Sequence, residues 1–495
     1  MFDQHILRDA ETGLLLDLTF APAIPWDALQ GPMDRALRAM SELEAGAVAN
    51  PDEQRRVGHY WLRAPELAPE PELRDAILAM QAQVAALGPA PHTDVLLVGI
   101  GGSALGPLLV GSVLEQPGDP VRLHLLDNTD PEGFARVLAP LDLSRTVCVV
   151  VSKSGGTPET HNGMLAAMAA WRRAGLSFED SAIAITTPGS ALDRRAAGWR
   201  ARFPLWDWVG GRVSVTAAVG LVPMALCGWD WRSFLAGAAA ADRLTRRPFR
   251  QNPAAWLAAA WHTAGNGRGD RALVVEPYRD RFLMLSRHLQ QVIMESLGKE
   301  LDREGRVVHQ GLAVYGNKGS TDQHAILQQI RDGRNDTFVH FLETTRHGPP
   351  TPIDDGYDAS DTLVGLMLGT RAALAQTDRP SLTLSVPDAS ARTLGLLIAL
   401  FERAVGLYGE LININAYHQP GVEAGKRAAR EAMQLQRALE GALTEAPTTA
   451  EALAASLGAD PLTTWRLLVH LSHSGRAQMS AGDRPSEDRF HAAKG

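Results

Sequence analysis

Short apolar runs alternate with helix-sized amphipathic stretches over most of this chain. Val95-Leu-Leu-Val-Gly99, Val121-Arg-Leu-His-Leu-Leu126, Val147-Cys-Val-Val-Val151 and Ala182-Ile-Ala-Ile185 form one series. Ala272-Leu-Val-Val275, Phe338-Val-His-Phe-Leu342 and Leu382-Thr-Leu-Ser-Val386 form a second. Strands that are apolar throughout must be covered on both faces, so the spacing predicts two α/β halves, each a doubly wound parallel sheet. A Trp- and Arg-rich helical bridge near 230–265 joins them. The first ninety residues read as helical, as in Leu73-Arg-Asp-Ala-Ile-Leu-Ala-Met80, and the pattern turns helical again from about 421. The predicted segments are 1–90, 91–245, 246–430 and 431–495. In the last of these, Thr448–Leu457 and Trp465–Gly475 resemble the helices of a small helix-turn-helix module. A packing appendage is the favoured reading, because no dense basic stripe is there to grip phosphates. The polar final ~15 residues read as disordered.

Composition removes several function classes. The formal net charge is −8, with 45% hydrophobic and 21% charged residues, which argues against a nucleic acid or membrane surface held by bulk electrostatics. The two cysteines, Cys148 and Cys227, allow no disulfide framework, and no Cys/His spacing suggests zinc. Met1-Phe-Asp-Gln-His-Ile lacks a basic region followed by an apolar one, so the cytoplasm is expected. Val95–Leu114 is uncharged and long enough to span a bilayer, but its glycine knot reads as strand, turn and helix.

The candidate chemistry lies in six short blocks. Gly99-Ile-Gly-Gly-Ser-Ala-Leu-Gly106 follows a strand and opens a helix; Gly99, Gly101 and Ala104 fit a variant dinucleotide fingerprint, with Asp127 near a ribose position. Ser152-Lys-Ser-Gly-Gly-Thr157 also ends a strand and precedes a helix at Pro158. Three hydroxyls and two glycines at a helix N-terminus suit one phosphate monoester, although a purely structural Ser/Gly turn has a similar outline. Arg212 follows a glycine pair that lets a ligand or backbone come close. In Gln290-Gln-Val-Ile-Met-Glu-Ser-Leu-Gly-Lys299, Gln291 and Glu295 share one helix face and Gly298 is the stop. A carboxylate in such apolar company is either paired structurally or held as a base. Asp322-Gln-His324 puts an imidazole in the first turn of a helix capped by Ser320 or Thr321, where a neutral ring is favoured. Gln419-Pro-Gly-Val-Glu-Ala-Gly-Lys426 begins another helix, with Lys426 near its positive end and Glu423 as a candidate partner.

The blocks occur in the order Gly-Ile-Gly-Gly-Ser-x-Leu-Gly-Pro, Ser-Lys-Ser, Gly-Gly-Arg-x-Ser, Gln-Gln-x-x-Met-Glu-Ser-x-Gly-Lys, Asp-Gln-His and Gln-Pro-Gly-Val-Glu-x-Gly-Lys, spread over about 95 to 430. In that order they resemble the glucose-6-phosphate isomerase family. The resemblance implies two sugar-isomerase domains, a homodimer, a phosphosugar substrate, and no metal or nucleotide cofactor. It implies interconversion of glucose 6-phosphate and fructose 6-phosphate through ring opening and an enediolate. On this resemblance Ser152, Ser154 and Thr157, with Gly102 and Ser103 nearby, match the phosphate site. Glu295 matches the base between C2 and C1, His324 and Lys426 the ring-opening pair, and Arg212 the enediolate-stabilising cation. Gln291 and Gln419 match substrate-binding glutamines. Three positions depart from the family pattern: Gly156 where many members carry a hydroxyl, His418 for Asp, and Leu297 for Asn.

Two other functions fit parts of the sequence. A sugar-phosphate-sensing regulator would use the phosphate turn and the tail module, but leaves Glu295, His324 and Lys426 together unexplained. An NAD-dependent enzyme would use only the first glycine turn.

Overall fold

The computed structural model describes residues 4–88 and 91–493. It separates into two compact units, Met1–His418 and Gln419–Gly495. The first unit opens with two short strands, β1 (Ile6–Arg8) and β2 (Leu15–Asp17), paired antiparallel. Helices follow at Trp26–Glu44 and Pro71–Ala86. Periodicity did not reveal this hairpin, because three-residue strands are too short to carry an alternation.

The next five strands are β3 (Asp94–Val98), β4 (Arg122–Leu126), β5 (Thr146–Val151), β6 (Ala182–Thr186) and β7 (Ala201–Pro204). They form an all-parallel sheet in the order β4-β3-β5-β6-β7. All six residues of β5 are buried, as helices on both faces require. Strand order reverses between β3 and β5. At such a reversal the crossovers leave opposite faces and open a crevice at the carboxyl ends, where doubly wound sheets hold their ligands. The first glycine turn leaves β3 there, and the Ser152–Thr157 turn leaves β5 beside it.

The second sheet takes β8 (Ala272–Pro277), β11 (Val314–Tyr315), β12 (Thr337–Thr344) and β13 (Ser381–Val386), with a separate hairpin of β9 (Lys299–Leu301) and β10 (Val307–Gln310). Its order is β1-β2-β13-β12-β8-β11. The four strands from β13 to β11 are parallel, and β2 closes the β13 edge antiparallel, with Leu16 opposite Leu384. Leu14, Leu16 and Leu18 are buried by this closure. The helix Ala391–Leu411 is buried along nearly its whole length. Among the described residues no helix is long and apolar enough to cross a membrane; Val95–Leu114 is divided between β3 and the helix Gly102–Leu114.

The second unit starts with the helix Pro420–Ala442, which runs unbroken through the 430/431 position where the sequence pattern suggests a boundary. Helices Ala450–Leu457 and Pro461–His473 follow, then a hairpin of β14 (Ala477–Ser480) and β15 (Arg489–Ala492). Thr448 pairs with Phe490, adding a third short strand contact. Leu439, Leu453, Leu468, Leu471 and Phe490 share its core. Two short helices and a hairpin thus pack with the end of the long helix. The polar end read as disordered is ordered through 489–492, since Phe490 is fully buried and Trp465 donates to Asp488 at 2.8 Å.

Candidate active site

The turn after β5 is folded by its own hydroxyls. Ser152 Oγ accepts the Gly155 N–H at 3.1 Å, and Ser154 Oγ accepts the Gly156 N–H at 3.2 Å. Ser152 Oγ donates to Thr157 Oγ1 at 3.3 Å. Gly155 has φ +73°, and a Cβ there would collide with the Leu192 amide, so glycine is obligatory. Thr157 is the residue before the helix Pro158–Arg173 and makes no side-chain cap. Its hydroxyl proton and the N–H groups of the first helical turn are therefore left available to an acceptor. A Cβ on Gly156 would meet only Ser154 Oγ, at an ordinary 3.7 Å, so its missing hydroxyl is a chemical loss and not a steric necessity. The Ser154→Ala, Thr157→Ala double variant is expected to weaken inorganic phosphate and fructose 6-phosphate in parallel, read by calorimetry. A loss confined to the sugar would mean that these hydroxyls bind ring oxygens.

Lys153, which sequence patterns left unassigned, ties this turn to the next. Its Nζ donates to the carbonyls of Asp207 at 2.9 Å and Val209 at 3.1 Å. Burial, with the Arg55 charge adding to it, lowers the ammonium to about 8. The segment it grips leads directly into Gly210-Gly-Arg212. A Cβ on Gly102 would strike the Gly211 carbonyl, and Ser214 Oγ spans both residues, reaching Gly211 O at 2.7 Å and Gly102 O at 3.4 Å. The close approach that the first glycine turn permits is thus occupied by the protein's own backbone. That use competes with a dinucleotide pyrophosphate, which would need the same space. Ser103 sits half-buried in the first turn of the helix, and Gly101, at φ +58°, lies against Gln291, whose Nε2 would be 3.2 Å from a Cβ at that position.

Gln291 and Glu295 do share one helix, and Gly298 ends it. The helix Leu285–Leu289 widens into a π-helical stretch, Gln290–Glu295. Extra backbone of this kind re-aims side chains and recurs at functional sites. Its final carbonyls are held by Lys299, whose Nζ donates to Glu295 O and Ser296 O, both at 2.8 Å. Burial, followed by the Arg212 charge, lowers Lys299 to about 8.

Arg212 is 7% exposed and fixed from three sides. Nη1 donates to Ser296 Oγ at 3.1 Å, Nη2 to the His418 carbonyl at 3.1 Å, and Nε lies 3.7 Å from Glu295 Oε2. Burial lowers the guanidinium's proton affinity, and the Glu295 charge opposes that. Glu295 Oε2 is buried and accepts no hydrogen bond. A carboxylate oxygen beside a fixed cation, with its lone pairs unengaged, has the form of a waiting base. Two departures from the family pattern find their reason here. Residue 418 serves Arg212 through its carbonyl, so a His can replace an acid; its ring instead contacts Asn415 O at 3.1 Å. Leu297 is fully buried in the main core, remote from any polar duty.

His324 is placed differently from the expectation. It ends a single 3-10 turn, Thr321–His324, and a separate helix begins only at Leu327. Neither Ser320 nor Thr321 caps a longer helix. The turn is fixed instead by Asp322, which accepts the Asn317 N–H at 2.8 Å, and by Gln323, which donates to Tyr278 Oη at 3.0 Å and to Thr370. The helix N-terminus expected around His324 is therefore not there. The His324 ring is exposed. Among the described residues, the hydrogen bonds and ion pairs of Arg212 and Glu295 do not include it. Gln419 precedes the helix Pro420–Ala442 and is exposed, and Lys426 lies half-buried in its second turn. The Glu423 side chain lies outside the described residues, so its pairing with Lys426 stays an expectation. Among the described residues no group of three or more His, Cys, Asp or Glu is arranged to hold a metal ion.

The fold thus combines two parallel-rich α/β sheets, a hydroxyl-rich turn at the strand reversal of one, and the Arg212–Glu295 pair. A model of the phosphoglucose isomerase family matches residues 84–377 and 363–450. The glucose-6-phosphate isomerase of Thermosynechococcus vestitus is 52% identical over 487 residues, covering 93% of this chain and 92% of that one. Its counterpart from Geobacter sulfurreducens is 51% identical over 496 residues, covering 95% and 94%. A crystal structure of a glucose-6-phosphate isomerase from Chlamydia trachomatis superposes with a TM-score of 0.81 at 27% identity, over 88% of this chain and 90% of that one. The chain belongs to the phosphoglucose isomerase family.

Proposed function

We propose that the protein interconverts glucose 6-phosphate and fructose 6-phosphate. The observation that carries this reading is Glu295: a buried carboxylate oxygen with no hydrogen-bond partner, 3.7 Å from the buried Arg212 guanidinium. That pair meets the needs of an aldose–ketose shift. A base removes the proton next to a carbonyl, and a nearby cation stabilises the enediolate oxygen that develops. The Ser152, Ser154 and Thr157 turn, with Gly102 and Ser103, takes the phosphate and converts remote binding energy into placement of the open chain. Gln291 and Gln419 hold substrate hydroxyls. His324 and Lys426 open the ring, moving a proton between the ring oxygen and the anomeric hydroxyl. Glu295 then carries the proton between C2 and C1.

The two sheets serve as two sugar-isomerase domains, 91–245 and 246–430, and the active form is a homodimer. An exposed His324 fits a residue that completes a neighbouring site. Leu301 and Val307, opposite each other on the β9–β10 hairpin, are 46% and 63% exposed, and Met294 beside the base is 43% exposed. Exposed apolar side chains such as the Leu301–Val307 pair suit burial against a second copy. Phosphorylated sugars do not cross bilayers unaided, which places the activity in the cytoplasm. The deciding experiment incubates purified protein with fructose 6-phosphate, a chelator and no nucleotide, and follows glucose 6-phosphate by NMR. Failure to form it at any pH between 6 and 9 would sink the proposal, and a monomer by sedimentation would remove the shared site.

A further inference from the structure

The helix Ala391–Leu411 carries two buried charged residues, Glu402 and Arg403, with 4% and 1% exposure. Charges so deep persist only with partners. Arg403 has Glu44, and Asp242 at 3.6 Å; Arg63 has Glu402, and Asp242 at 3.4 Å. Several polar atoms of the network lack a hydrogen-bond partner, Asp242 Oδ2, Arg63 Nε and Arg403 Nε among them. Glu402 Oε1 has no hydrogen-bond partner, and neither ring nitrogen of the buried His59 has one. The nearest approach between the two side chains is 3.9 Å, from His59 Nε2 to Glu402 Oε2. Unpartnered polar atoms at this depth call for an explanation.

For Glu402 and His59 a cavity offers one. It measures about 30 Å³, and His59, Glu402, Tyr417, Val292, Arg212 and Ser296 are among the residues that line it. That volume admits one or two waters, and the site supplies the polar contacts such waters require. Arg212 commits its guanidinium to Ser296, the His418 carbonyl and Glu295, and a guanidinium has five N–H donors, so it retains others to give.

We propose that ordered water in this cavity links Arg212 to Glu402, and that Glu402 is a positioning residue for the active-site guanidinium. Water accepts from Arg212 and donates to Glu402 Oε1, and His59 borders the same water. The inference rests on reading Arg212 as the cation that meets the enediolate. Burial, with Asp242 adding to the rise and Arg63 and Arg403 opposing it, brings the Glu402 carboxyl up to about 7. Burial and the charges of Arg63 and Arg403 hold His59 neutral. The other charged groups facing the cavity are Arg55, Arg56 and Asp207. Glu402 is the group there whose charge changes near neutrality. Above that pH the ionised carboxylate accepts from the water and aims Arg212; below it the neutral acid releases that hold, so kcat declines as pH falls through about 7.

Two variants test this. Glu402→Gln keeps the side chain's size and removes its charge. Val405→Ile, on the cavity wall, adds one methylene that displaces the water and leaves Glu402 intact. Each is expected to lower kcat for fructose 6-phosphate about tenfold with KM within about twofold, the split expected when transition-state contacts alone are lost. The decline of kcat below about pH 7 should vanish in Glu402→Gln. An unchanged kcat and pH profile in both folded variants overturns the proposal, and so does a lower kcat with the wild-type profile retained, since a merely structural role gives that result. If Glu402→Gln does not fold, Val405→Ile decides by its pH profile, since displacing the water should also abolish the decline of kcat below about pH 7, and a high-resolution crystal structure with a dry cavity also overturns the link. The function reading is tested separately by the wild-type assay and by Arg212→Ala.

Discussion

Glu295→Gln is expected to lower turnover of fructose 6-phosphate by at least ~10²-fold while leaving binding nearly intact. The amide has the size of the carboxylate, and Arg212 keeps its hydrogen bonds to Ser296 and the His418 carbonyl, so the site should hold its shape. What it loses is the oxygen that is buried, unpartnered and able to take a proton. Solvent deuterium exchange at the carbon next to the carbonyl is the sharper readout, because it reports proton abstraction apart from ring opening. A Gln variant that exchanges deuterium at the wild-type rate would take the base role away from Glu295.

His324→Ala is expected to be nearly inactive alone, yet to recover activity when mixed with Glu295→Gln. The 3-10 turn that carries His324 leaves its ring exposed, and the hydrogen bonds and ion pairs of Glu295 and Arg212 do not include it. If each site of a dimer takes Glu295 from one subunit and His324 from the other, a mixed dimer holds one doubly damaged site and one intact site. Random reassortment then returns about a quarter of wild-type activity. Mixed dimers confirmed by two affinity tags but without activity would place His324 in its own subunit's site.

Much of this was legible from residue order alone, for reasons that differ by element. Strands such as Thr146–Val151 announce themselves because burial on both faces demands unbroken apolar runs. The Ser152–Thr157 segment is readable as a strand-to-helix turn because glycines and then Pro158 follow an unbroken apolar run. Lys153 was passed over: its work is done on the carbonyls of Asp207 and Val209, which no residue type encodes. The widening of the helix at Gln290–Glu295 is likewise a backbone event, invisible in a pattern that fits an ordinary helix equally well. His324 misled because Ser and Thr before it look like caps, whereas the side chains of Asp322 and Gln323 fold the chain into a separate turn. Glu402 and Arg403 offered no clue, since their partners come from Glu44, Arg63 and Asp242, far away along the chain.

The strand Leu15–Asp17 lies against Ser381–Val386, with Leu16 opposite Leu384. During synthesis the first of these leaves the ribosome early, and its partner is among the later parts of the unit to emerge. Leu14, Leu16 and Leu18 therefore spend most of translation without the neighbours that will bury them. The edge of the second sheet closes late, after the first sheet has had time to fold on its own. Pairing across so much chain is slow to form. Substitutions in Ile6–Asp17 should accordingly reduce the yield of folded protein made in cells more than they alter the activity of the molecules that do fold.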